Sequence, residues 1–161
     1  MPASTTNDFF ERHLPHRLDV LRGFRNRSGS ESPQVHCAMK DGAMVTCRVL
    51  WSLLGVVIEA RREHMPHAPT VEPQFKSFEG TLPAGVAVRR FSKKDFKALG
   101  PSAQDIKLVL VAANKCVAHL DDRPDHGVTE DILDRVIDIT LAEINQMFTR
   151  TAERSIEQGR Q

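Results

Sequence analysis

His119 closes a run, Asn114-Lys115-Cys116-Val117-Ala118-His119, that places an amide, an ammonium, a thiol and an imidazole within two helical turns. Imidazole is the side chain whose ordinary pKa lies nearest neutrality, so it can act as acid or base or switch charge within a contact. At ~100° per residue, His119 points about 140° away from the centre of the apolar stripe Ile106, Ala113 and Val117. Lys115 shares its face one turn earlier, together with Ala112 and Leu108, whereas Asn114 does not. A face carrying Leu, Ala, Lys and His is neither a clean core stripe nor a clean solvent surface. It predicts contact with a partner, a second copy of the chain among the candidates. The plainer reading makes Asn114 and His119 hydrogen-bonding parts of a helix cap or a subunit seam.

Other candidate chemistry is sparser. His119, Asp121, Asp122, Asp125 and His126 are competent metal ligands by type, but their spacing matches no closed ligand set, and Asp is common in turns after a helix. His64 and His67 flank Pro66 and read as a polar turn. Arg12, His13, His16 and Arg17 form a small basic cluster that Asp8, Glu11 and Asp19 dilute, as on a solvated helix face. There is no Gly-rich phosphate loop, no G-x-S-x-G and no H-E-x-x-H. Cys47 and Cys116 sit in apolar settings and read as packing residues. The sequence calls for no metal and no cofactor. With no Tyr and one Trp, it offers few platforms on which single-stranded RNA bases could stack.

A chain of 161 residues fits a single domain spanning 1–161 and can bury a sizeable core unaided. A formal charge of +1 argues against a strongly basic nucleic-acid coat. Cys37, Cys47 and Cys116 form no C-x-x-C pair, and reduced thiols in a cytoplasmic protein are expected. The first residues, Met1 to Asp8, lack the basic-then-apolar order of a signal peptide. The apolar run Val49 to Ile58 is about half the length a bilayer span requires, which predicts a buried core helix and no membrane contact.

Elements that would position these residues follow from periodicity. Phe10, Leu14, Leu18, Leu21 and Phe24 mark an N-terminal helix within 1–27, with a kink or restart at Pro15. Arg25 to Pro33 reads as a linker. A central helix is predicted over 38–64, apolar almost all round and therefore surrounded by other helices. Residues 65–91 carry Pro66, Pro69, Pro73, Pro83, Gly80 and Gly85 and are predicted irregular, with no sheet and at most a short extended stretch from Val86 to Phe91. Ser92 and Asp95 have capping-box spacing for a short helix ending at Gly100, and Ser102 with Asp105 repeats the signal for a third long helix. Thr129 is the predicted N-cap of the last helix, whose core face is Leu133, Val136, Ile137, Thr140, Ile144 and Phe148. Beyond Arg150 the polar chain is expected to fray. The predicted fold is all-α, an up-down bundle of four main helices plus a short one.

The stretch Asn114-Lys115-Cys116-Val117-Ala118-His119-Leu120, at a helix end before a charged turn and a final helix, resembles HEPN-like helical bundles. It is most similar to bacterial members with an Asn-Lys-x-x-Ala-His-Leu stretch, some of them linked to phage abortive infection. In layout the resemblance covers residues 38–150. It implies a homodimer with two motif helices facing each other and, in active members, metal-independent cleavage of RNA. The family motif is Arg, a polar residue, a few residues, then His. His119 matches the His, and Asn114 matches the polar residue, which leaves the Arg position on Ala113; alternatively Asn114 itself takes the Arg position. Either alignment lacks the guanidinium.

On that resemblance three readings stand. In the first, the chain is a dimer through the face of helix 102–120, with a degenerate nuclease motif, working as a regulatory or interaction module toward an RNA or protein partner. In the second it is an active ribonuclease, with His119 as general acid or base and Lys115 or Arg123 stabilising charge on the phosphorane. In the third it binds a small ligand, with Trp51, Phe75, Phe78 and Phe91 lining a pocket beneath the Pro-rich segment.

Overall fold

Proline decides where the first helix begins. Pro15 has no amide hydrogen and its ring crowds the preceding turn, so it is tolerated only where a helix starts. In the computed structural model, which describes residues 9–58, 72–76, 90–116 and 127–158, a π-helical turn at Phe9–His13 gives way to α1, Leu14–Arg25, with Pro15 in its first turn. Leu14, Leu21 and Phe24 are buried and Leu18 packs against them, as the periodicity predicts.

The next helix, α2, is Pro33–Leu53, displaced from the predicted 38–64 at both ends. Its start was hidden in the supposed linker: Ser32 Oγ accepts from the Val35 amide at 3.4 Å, and Pro33 occupies the first turn. Its end is set by Gly55, whose φ of +85° an L side chain rarely adopts. A Cβ there would lie 2.7 Å from the Lys76 carbonyl oxygen. The freed carbonyls are taken up by other segments, since the Lys76 amide donates to Gly55 O and the Phe91 amide to Leu54 O, both at 2.9 Å.

A small sheet follows, where none was predicted. Strand β1, Val56–Val57, pairs antiparallel with β2, Gln74–Phe75, in the register Val56↔Phe75 and Val57↔Gln74. Two β-branched residues just past a glycine break favour extended backbone over a continued helix.

The capping box forms as its spacing predicts. The Asp95 amide donates to Ser92 Oγ at 3.2 Å, and the Ser92 amide donates to Asp95 Oδ2 at 2.9 Å, opening α3, Lys93–Ala98. Gly100, at φ +59°, ends that turn, and α4 runs Pro101–Cys116. Ser102 therefore lies inside α4 and not at its cap, because Pro101 suits the first helical position better. The last helix, α5, Glu130–Gln158, starts on Thr129, whose Oγ1 accepts from the Ile132 amide at 3.3 Å. It continues through the stretch expected to fray after Arg150.

Contacts between side chains fix the directions. Phe24 meets His36, so the end of α1 lies beside the start of α2. His36 pairs with Glu130, while Trp51 bonds to Thr140, so α2 and α5 run parallel. Trp51 also meets Phe96, just before α4, and Asp105 pairs with Arg135, so α4 runs against both. The result is an up-down, all-α bundle. From Ile106 to Ala113, every residue of α4 but Leu108 is buried, making it as enclosed as the predicted central helix. No described helix is long and apolar enough to cross a membrane.

Candidate functional site

Asn114, half-buried, and Lys115 stand on the final turns of α4, which point toward the end of the bundle where α1 finishes and α2 and α5 begin. His119 and Arg123 lie outside the described residues, as do Asp121, Asp122, Asp125, His126, His64 and His67. The flanking position Ala113 can be judged. Ala113 is 1 % exposed and packed in the core, so a guanidinium at that position could not reach a phosphate.

The face assigned to a partner is partly filled by the chain itself. Ala112 is fully buried and Leu108 is half-buried against the core.

The same end of the bundle carries an ionic cluster that sequence reasoning missed. Arg27 donates to Asp134 with both terminal nitrogens (2.8 and 3.2 Å), to Glu130 at 2.8 Å and to the Phe24 carbonyl at 2.9 Å. Its guanidinium lies 4.2 Å from the centre of the Phe24 ring. Arg25 adds a 3.0 Å bond to Asp138, and His36 Nε2 lies 2.9 Å from Glu130 Oε1. The Asp134 carboxylate is the chief cause holding Arg27 firmly charged, and the Arg27 hydrogen bond is the chief cause holding Glu130 below its ordinary value. With these bonds made, Arg27 is a clamp of the α1–α2 loop onto α5. The signal was present: Glu130, Asp134 and Asp138 recur at steps of four on one helix face, opposite a linker holding Arg25 and Arg27.

Of the two cysteines whose side chains are described, Cys47 behaves as a packing residue. Cys47 is fully buried, and burial pushes its thiol up to about 12, which removes it as a nucleophile near neutral pH. Cys37 is exposed. Arg12, His13 and His16 are exposed and Arg17 is half-exposed, in keeping with a solvated face. Among the described residues no three His, Cys, Asp or Glu side chains are placed to hold a metal ion.

The four aromatics expected to line one pocket divide. Trp51 and Phe91 are core residues in edge-to-face contact, with ring centres 5.3 Å apart. Phe78 lies outside the described residues. Phe75 does line a cavity, together with Phe96 and Lys107, which the sequence reading did not single out.

No family model matches the chain, and neither curated proteins nor solved structures give a significant match to it.

Proposed function

We propose that this chain is a HEPN-like dimeric helical protein with a degenerate nuclease motif, working as a regulatory or interaction module. The observation that carries the reading is the setting of Asn114. It sits half-buried on the last turns of a helix clasped between α2 and α5, at the end of an up-down bundle and ahead of the final helix. That is the layout the resemblance implies for a motif helix. The burial of Ala113 adds a reason for the loss of activity, since it leaves Asn114 where a phosphate-binding arginine belongs.

The test is to put that arginine back. Labelled RNA incubated with the unaltered protein should stay intact, and Asn114→Arg should gain cleavage that His119→Ala in the same chain removes. Cleavage by the unaltered protein that His119→Ala abolishes would instead make it an active ribonuclease. Failure of Asn114→Arg to cleave, with its fold intact by circular dichroism, would count against the motif assignment.

A further inference from the structure

At the opposite end of the bundle from Asn114, a cavity of about 240 Å³ opens between β2, α3 and the first turns of α4. Its floor is aromatic: the rings of Phe75 and Phe96 meet edge to face, with centres 5.9 Å apart. Gly100 and Ala103 keep one wall low, because neither carries a side chain beyond Cβ. Lys93 and Lys97, one turn apart on α3 and both exposed, stand at the mouth. Lys107, buried in the wall, has partners within the chain, Glu72 at 3.6 Å among them, and is not free to take a ligand.

The lysines of α3 are the informative residues. Lys93, Lys94 and Lys97 are all exposed, and none forms an ion pair with a described residue. The helix has a single carboxylate, Asp95, and it is committed to the capping box with Ser92. Lys93 and Lys94 fill the first turn, where the helix dipole disfavours cations, and Lys93 and Lys97 at i and i+4 repel each other. This arrangement weakens α3, and no contact with a described residue offsets it, which points to an acidic counterpart from outside. The volume sets the rest of that counterpart. An apolar cavity of about 150 Å³ accepts one benzene ring, so this one accepts one large apolar side chain. A nucleic-acid strand fits less well, because Phe96 is 4 % exposed and edge-to-face rings give a base no flat platform.

We propose that this cavity docks an acidic peptide segment of a partner protein, with one Phe- or Leu-sized side chain resting on Phe75 and Phe96. Carboxylates flanking that anchor pair with Lys93 and Lys97, as rim charges around a buried anchor. The site is independent of the motif at the far end of the bundle.

The probe is the pentapeptide Glu-Glu-Phe-Glu-Glu, blocked at both ends and fluorescein-labelled, titrated into the full chain at low salt and read by anisotropy. It should bind saturably with a Kd below about 1 mM, and more weakly as salt is added. Replacing its Phe by Ala, or its Glu residues by Gln, should weaken it at least about tenfold. Lys93→Glu combined with Lys97→Glu, both exposed changes, should do the same with helicity intact. Lys93→Arg combined with Lys97→Arg, which keeps the charge, should stay within about twofold of the unaltered protein. Ala103→Phe should fill the cavity and abolish binding with helicity unchanged. Absence of saturable binding, equal binding of the Ala-centred peptide, or affinity unchanged in Ala103→Phe or in the charge-reversed chain would overturn the proposal. Tighter binding of a short oligouridylate than of the peptide, lost in Ala103→Phe, would overturn it in favour of RNA. A light-scattering mass that Ala103→Phe halves would overturn it in favour of a second copy of the chain.

Discussion

Thr140 shows how much a single side chain settles in this bundle. It is fully buried, and its Oγ1 accepts the Trp51 indole N–H at 2.9 Å while donating to the Val136 carbonyl at 2.6 Å. Two buried polar groups are thereby satisfied at once. Thr140→Val keeps the shape and leaves the indole N–H without an acceptor, so it should cost about 1–3 kcal/mol in urea unfolding. Trp51 emission follows the same transition. A neutral result would mean that the indole finds another acceptor. Gly55→Ala forces a side chain into positive φ and against the Lys76 carbonyl, and should cost about 2 kcal/mol or more. Thr140 was legible as a core position from its place in the stripe. Its partner was not, because hydrogen bonding between residues far apart in sequence leaves no local pattern. Gly55 was legible only as an interruption of an apolar run, because its role depends on Lys76 and Phe91 arriving from elsewhere.

Among the elements, the starts at Ser92 and Thr129 were legible, whereas the start of α2 at Ser32 and its end at Leu53 were not. Caps at Ser92 and Thr129 are local chemistry and appear where their spacing put them. The stop of α2 at Leu53 and the pairing of Val56–Val57 with Gln74–Phe75 need a second strand, so periodicity alone extended the helix through them. The clamp of the α1–α2 loop onto α5 is the element-scale feature with the clearest consequence. Arg27→Met removes a guanidinium whose side chain is 13 % exposed and leaves Asp134, itself only 20 % exposed, without its bidentate partner. The expected loss is about 2–3 kcal/mol near neutral pH, read from the urea midpoint. Its pH dependence has a definite sign. Glu130 is held below its ordinary 4.5, chiefly by the Arg27 hydrogen bond, so its share of the stability is complete above about pH 4.5. That share falls away as the pH drops through the depressed value, and half-exposure of Glu130 keeps it small. The gap between the unaltered protein and Arg27→Met should therefore narrow as the solution is acidified. A gap that stays constant down to about pH 3 would show that Glu130 contributes nothing through this contact.

For the molecule as a whole, the all-α up-down class was legible because four apolar stripes of period 3.6 dominate the chain. The candidate site was legible in its residue types but not in its surroundings. Periodicity assigned Leu108 and Ala112 to a partner-facing surface, yet the burial of Ala112 depends on packing that no single stripe reveals. The cavity lined by Phe75, Phe96 and Lys107 was out of reach for the same reason, since these three residues come from three separate elements. What unites the proposed function is a second copy of the chain meeting the first at the exit of α4. Light scattering at micromolar concentration measures this most directly. The account predicts a particle of twice the 18.1 kDa chain mass, reduced to one chain by a charge reversal at Lys115 (Lys115→Glu) with helicity retained. A particle of 18.1 kDa for the unaltered protein would contradict it.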